Sequence, residues 1–232
     1  MKIPKKISPD NIKEAIVQIR FEPNCAGELV LGNFNHICSD LLDFVSTKVP
    51  NEEINSVIVE NNVGGYFTDN SELFKVEINF DSITFNTQAA DYPGWDEYSN
   101  FIYSIIKRCT ENNFFKQIKR IGVRYISHFD TITIFDKLKV NISVPFTSLI
   151  DSTQFRSEFE YKDYRVILTI LNHINNKEIK TSVIDIDVIK QVNSNVQNCD
   201  LIECIESSHF TQKEIFFNLL TDKFLISLNP EY

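Results

Sequence analysis

Two stretches of the chain carry residue types at spacings that can do chemistry. The first is Asp185 and Asp187, two apart in the run Ile184-Asp185-Ile186-Asp187-Val188. On a strand, alternate residues leave the same face, so both carboxylates would point one way. A pair of hard oxygen ligands can hold Mg²⁺ against a phosphate, the arrangement of metal-dependent enzymes acting on nucleotides or nucleic acids. Nucleotidyl-transferring enzymes with this spacing also use an upstream Gly-Ser loop and a third carboxylate. No Gly-Ser dipeptide occurs in this chain. The competing reading is an antiparallel strand with Ile184, Ile186 and Val188 inward and both aspartates in water.

The second stretch is basic. Lys107, Arg108, Lys116, Lys119, Arg120 and Arg124 fall within 18 residues, opposed by Glu111 alone, in a chain of net charge −9. Arg120 and Arg124 would share a strand face, with Gly122 between them leaving room for close approach. Two guanidinium forks at that spacing can grip a phosphate or carboxylate bidentately, with Lys119 adding charge beside them. Against this stands a plainer arrangement, with Lys107 and Arg108 as helix C-terminal charges and the arginines pairing local acids.

The remaining reactive residues form no pattern. The histidines His36, His128, His173 and His209 are scattered, and no G-x-S-x-G or G-x-x-x-x-G-K sequence is present. Five cysteines, an odd number, include no paired C-x-x-C motifs, and Cys25, His36 and Cys38 lack a fourth ligand at zinc-site spacing. No cofactor is implied. The acidic balance disfavours general nucleic-acid binding, which needs counterion-releasing basic surface. No apolar stretch approaches the roughly 20 residues of a membrane-spanning helix. The polar, lysine-containing start has no apolar segment of the secretory kind behind it. The expected location is the cytoplasm, with free thiols.

Elements that must position these residues follow from hydrophobic periodicity. With 232 residues, 43% hydrophobic and 12% aromatic, the chain can bury one large core or two small ones. Residues 12–21 alternate as a strand, and 28–45 recur at helical spacing through Leu31, Phe34, Ile37, Cys38, Leu41, Leu42 and Val45. Strands are expected at 54–60 and 65–68, and a hairpin at 73–87. Residues 95–110 form a second helix whose apolar stripe begins at Trp95 and continues through Tyr98, Ile102, Ile105, Ile106 and Cys109. Asp96 and Glu97 at its start and Lys107 and Arg108 at its end suit the helix dipole.

A long strand spans 118–129, followed by strands at 138–144, 155–161, 164–171 and 181–192, with the asparagine cluster at 172–176 as a turn. A last helix covers 199–220, with Leu201, Ile205, Phe210, Ile215, Leu219 and Leu220 inward. The order is βαβββαβ then ββββα, which is not the alternation of a doubly wound parallel sheet. The expected fold is α+β, a mostly antiparallel sheet with three main helices packed on it. A division into residues 1–132, an N-terminal α+β sub-domain, and 133–232, a strand-rich sub-domain ending in a helix, is placed by the weak turn signals at 130–137.

Several phrases together resemble a sporadically distributed prokaryotic protein family of unknown function. They are Pro9 followed by Ile12-Lys13-Glu14-Ala15-Ile16-Val17-Gln18-Ile19-Arg20-Phe21, then Gly65-Tyr66-Phe67, then Tyr92-x-x-Trp95-x-x-Tyr98. Arg120-Ile121-Gly122-Val123-Arg124-Tyr125-Ile126, Ile184-Asp185-Ile186-Asp187 and Phe217-x-x-Leu220-Thr221 complete the set. Tyr98 stands where the family usually has phenylalanine. The resemblance implies no activity. The family's patchy distribution implies mobile genes of the kind found near toxin–antitoxin and phage-defence loci.

The expectation is therefore a binding module, more readily non-enzymatic than catalytic, recognising a protein partner or a small anionic ligand through Arg120, Arg124 and Lys119. The alternative is a divalent-metal-dependent enzyme acting on a nucleotide or nucleic acid through Asp185 and Asp187. These two readings use different residues, so placing the side chains can weigh one against the other.

Overall fold

A computed structural model describes residues 2–48, 64–87, 92–140, 142, 152–176, 179–195 and 200–232. The fold is α+β, with a nine-stranded antiparallel sheet in the order β2-β3-β4-β5-β1-β6-β9-β8-β7. The strands are β1 (Ile12–Pro23), β2 (Leu42–Lys48), β3 (Gly64–Asp69), β4 (Phe74–Asn79), β5 (Ser82–Thr87), β6 (Phe115–Asp130), β7 (Thr153–Tyr161), β8 (Tyr164–Asn176) and β9 (Ile179–Asn195). The helices are α1 (Val30–Cys38), α2 (Trp95–Glu111), α3 (Leu201–Leu219) and α4 (Asp222–Ser227). This sheet is larger than the sequence-derived order implies. The strand expected at 54–60 lies outside the described residues; of the one expected at 138–144, residues 138–140 and 142 are described and belong to no strand of the sheet. Leu138 itself makes an isolated antiparallel bridge to Leu220.

Three elements differ from expectation, each for a physical reason. The helix read across 28–45 is a single 3₁₀ turn at Gly27–Leu29 and a nine-residue α1, after which the chain enters β2. Leu41 N–H bonds the Cys38 carbonyl to close the helix, and Leu42 then begins a ladder against Asp69 of β3. Leu42 is buried while Phe44 and Val45 are largely exposed. Apolar residues at 41, 42 and 45 fit either period, and pairing with β3 decides between them.

The asparagine cluster is not a turn: β8 runs through it with a register shift between Leu171 and Ile174. Asn172 is buried, and its Oδ1 accepts from Ile134 N–H at 2.9 Å and from the Ser182 hydroxyl at 3.3 Å. A side chain that satisfies two buried donors can sit inside a sheet where an unpaired amide could not. The last helix turns its expected positions Leu201, Ile205 and Leu220 inward, with Ile215 and Leu219 packed against the core, and departs from expectation at Phe210. Phe210 is 53% exposed, while Ser208, His209, Thr211 and Gln212 are buried. The chain breaks at Leu220, and α4 restarts with the Thr221 hydroxyl accepting from Phe224 N–H.

The chain forms two compact units, each assembled from separated segments. Unit 1 comprises Met1–Ala15, Val123–Ile189 and Glu206–Tyr232; unit 2 comprises Ile16–Gly122 and Lys190–Ile205. The core of unit 1 packs one face of β8 and β9, through Val166, Leu168, Ile170, Ile184, Ile186 and Val188, with Phe216, Phe217, Leu220, Phe224 and Leu225. Its two ends meet, since Lys5 N–H donates to the Glu231 carbonyl and Ser8 N–H to that of Leu228.

Unit 2 is held by aromatic packing. Phe34 lies edge-on to Phe67 at 5.1 Å, Phe21 edge-on to Phe115 at 5.0 Å, and Phe74 stacks on Phe101 at 4.5 Å. Buried rings in such geometries combine large apolar area with favourable quadrupole contacts. Tyr98 is fully buried and donates its hydroxyl to the Phe85 carbonyl at 2.7 Å, fixing α2 to β5. Gly64 and Gly65 in β3 are needed for close approach. A Cβ on Gly64 would stand 2.6 Å from the Ile78 carbonyl oxygen, and one on Gly65 2.4 Å from Leu31 Cδ1.

Trp95, expected at the head of the buried stripe, is only partly buried. It occupies the first helical position after Gly94 and meets Tyr98 edge-on at 6.1 Å. The interior therefore begins at Tyr98. Trp95→Ala should destabilise the protein by about 1–2 kcal/mol in denaturant titration, below the roughly 3–5 kcal/mol of a fully buried ring; a loss in that upper range would place the indole inside.

Candidate functional site

One residue from each of the two stretches singled out in the sequence meets the other in unit 1. Arg124 projects from β6 and Asp185 from β9, and they form a bidentate pair: Nε to Oδ1 at 2.8 Å and Nη2 to Oδ2 at 2.7 Å. The Asp185 side chain is 17% exposed and that of Arg124 42%. The bond to Asp185 raises the Arg124 pKa above its ordinary value against an opposing desolvation, with Asp187 and Glu14 adding to the attraction. One guanidinium thus sits among three carboxylates.

Register extends this pair into rows across the sheet. Asp185 lies opposite Thr169 of β8, which lies opposite Arg156 of β7. Asp187 lies opposite Ile167, and Ile167 opposite Glu158. Glu158 is itself held by Arg156 at 2.7 Å and by Arg165, which together lower its pKa. Directly opposed residues share a face. The face of β8 and β9 turned from the unit 1 core therefore carries alternating charge around Arg124, Asp185, Asp187, Arg156 and Glu158.

Asp185 and Asp187 stand as the alternation predicts, between buried Ile184, Ile186 and Val188. Both Asp185 oxygens already accept from Arg124, so a cation shared with Asp187 would first have to displace a charge-assisted fork. Among the described residues, no group of three or more histidine, cysteine, aspartate or glutamate side chains could hold a metal ion.

The basic island is largely neutralised from within. Arg108 pairs bidentately with Asp40 at 2.7 and 2.6 Å, Lys116 pairs with Glu22, and Lys107 approaches Glu111 at 3.9 Å. Arg120, in unit 2, donates from Nη2 to Gln18 Oε1 at 2.6 Å. Lys119 is exposed and adds to the field that lowers the Glu22 pKa. Arg120 and Arg124 belong to different units, so each is held by its own neighbours.

Two contacts between residues distant in the sequence had no signature there, although Cys38 and Cys109 each belong to an expected apolar stripe. In unit 1, His209 of α3 is 8% exposed, with Nδ1 3.1 Å from the Tyr125 hydroxyl. Burial, with a smaller contribution from Lys213, lowers its pKa to about 3, so the ring is neutral at ordinary pH while it shares a hydrogen bond with the tyrosine hydroxyl. In unit 2, Cys38 of α1 and Cys109 of α2 are buried against each other, and that contact and desolvation push the Cys109 thiol far up. A thiol held protonated in this way is a packing group rather than a nucleophile. No helix among the described residues is long and apolar enough to cross a membrane.

Compared with models of protein families and with curated proteins, the chain matches none.

Proposed function

We propose that the protein is a non-enzymatic binding module that recognises a protein partner through the charged sheet face of unit 1. One observation carries this reading: the Arg124–Asp185 fork lies in a cross-strand array of both signs, Arg156, Thr169, Asp185 and Arg124 beside Glu158, Ile167 and Asp187. A small free anion would have to compete with Asp185 for the guanidinium. A protein surface of complementary charge can engage the array as it stands and gains orientation and steering from it.

The motif resemblance supports the same reading. Arg124 comes from one of the family-like blocks and Asp185 from another, so the pair links two segments that the resemblance singles out. On that basis the chain is a member of the sporadically distributed prokaryotic family, and its partner belongs to a conflict or stress system encoded beside it. The setting is the cytoplasm.

The test is binding to the products of the neighbouring genes, each purified and titrated calorimetrically. The expected result is one complex whose affinity falls with added salt. Arg156→Glu and Asp187→Lys should each weaken it at least about tenfold, as reversed charges at an interface do. Unchanged affinity in both variants overturns the reading. So does Mg²⁺-dependent turnover of a nucleotide that is lost in Asp187→Asn, which would establish the metal-dependent alternative.

A further inference from the structure

Unit 2 contains a cleft of about 290 Å³, lined by Asn24, Cys25, Asn33, His36, Ile37, Asn112, Asn113 and Phe114. Its walls come from three segments: the turn after β1, the side of α1, and the turn between α2 and β6. Four carboxamides converge there, with Ile37 and Phe114 as the apolar part. No lysine, arginine, aspartate or glutamate is in the lining. Apart from His36 and Cys25 the lining has no ionisable side chain, and its carboxamides offer donors and acceptors in equal measure.

The walls are fixed before any ligand arrives. Asn24 N–H donates to the Phe114 carbonyl at 3.0 Å, tying the first segment to the third. Asn112 Nδ2 bonds the Arg108 carbonyl at 2.9 Å at the end of α2. The Arg108–Asp40 fork holds that end of α2 to the turn after α1. Asn113 takes a left-handed conformation, φ 51°, with its N–H on the Thr110 carbonyl. The carboxamides of Asn24, Asn33 and Asn113 make no hydrogen bond among the described residues, so they are available to a ligand. The backbone of the walls is thus held in place, while the exposed carboxamides of Asn24, Asn33 and Asn113 are ordered only when a ligand engages them.

We propose that this cleft binds a nucleobase or nucleoside, a neutral planar ring with donors and acceptors on its edge. A carboxamide presents one donor and one acceptor side by side, the match that lets asparagine grip a purine edge bidentately. Half-buried Ile37 offers an apolar contact for the ring's face, while Phe114 is buried against Phe21, Phe34 and Phe115 and supports the wall. The volume lies at the small end of ligand sites, enough for a base and part of a sugar and too little for a dinucleotide. Absence of charge from the lining selects against a ligand recognised by its phosphate.

The experiment titrates the full chain calorimetrically with adenosine, guanosine, cytidine and uridine in turn, and with inorganic phosphate. The expected result is saturable, exothermic binding of at least one nucleoside with a Kd below about 1 mM. Asn33→Ala and Asn113→Gly should each weaken it about tenfold while leaving the melting temperature within about 2 °C of wild type. Lys223→Ala, at an exposed position of unit 1, should leave it unchanged. The proposal is overturned if no nucleoside saturates below about 5 mM, if the two asparagine variants bind as wild type does, or if inorganic phosphate alone binds more tightly than any nucleoside.

Discussion

Lowering the pH from 6.5 to 3 should remove about 4–5 kcal/mol of folding stability through one side chain, His209. The imidazole is buried with a folded pKa of about 3, against its ordinary 6.5. The folded state therefore excludes a proton that the unfolded chain takes up. Above pH 6.5 the ring is neutral in both states, and its neutral form contributes in full. As pH falls toward 3, the unfolded state gains about 1.4 kcal/mol per pH unit. Typical domains have only 5–15 kcal/mol in total.

The check is urea denaturation at half-unit pH steps, comparing wild type with His209→Asn. Asparagine keeps an acceptor for the Tyr125 hydroxyl and does not titrate. Wild-type stability minus that of the variant should fall by about 4 kcal/mol between pH 6.5 and 3, whichever is the more stable at pH 7, because only wild type loses the histidine contribution. Carboxylates such as Glu22 and Glu158 titrate in both proteins and drop out of the difference. Parallel curves would show that His209 is accessible to solvent protons in the folded state.

Truncating Phe34 should cost about 3–5 kcal/mol in the same assay, the range for a buried ring replaced by alanine. Its side chain is fully enclosed, with Phe67 at 5.1 Å and Phe114 at 5.9 Å. Phe44 meets the same Phe67 ring at 5.3 Å and is 47% exposed. Phe44→Ala should therefore cost less, about 1–2 kcal/mol, because about half of its area stays in water on folding. Equal losses in the two variants would mean that Phe44 is covered in solution.

Much of the sheet was legible because its strands have one apolar face. Phe74, Val76 and Ile78 against Ile83 and Phe85 specify the β4–β5 hairpin by alternation alone, and β1 is as clear. The failures occur where local pattern is ambiguous or where a partner distant in sequence decides. Leu41, Leu42 and Val45 fit a helix until β3 is known. Asn172 reads as a turn residue until Ser182 and Ile134 supply its hydrogen bonds. Phe210 looks like the natural inward residue of α3, yet its neighbour His209 takes that place because Tyr125 waits for it.

The candidate sites divide in the same way. Asp185, Asp187, Arg120 and Arg124 were visible as residue types at useful spacing. That Arg124 and Asp185 answer each other was not, since they lie 61 positions apart and no local rule couples them. The cleft in unit 2 was invisible because asparagine is common in this chain and its four contributors come from three segments.

The pairing of residues 5–8 with 228–231 has a consequence for biosynthesis. A chain leaving the ribosome presents its first fifteen residues long before the segments that complete their unit. Unit 1 cannot close until residues near 231 have been made, so β8 and β9 wait with one apolar face uncovered while α3 and α4 are still being translated. Such a chain is most exposed to misassociation between the emergence of β9 and that of α4, and chaperone dependence should concentrate there.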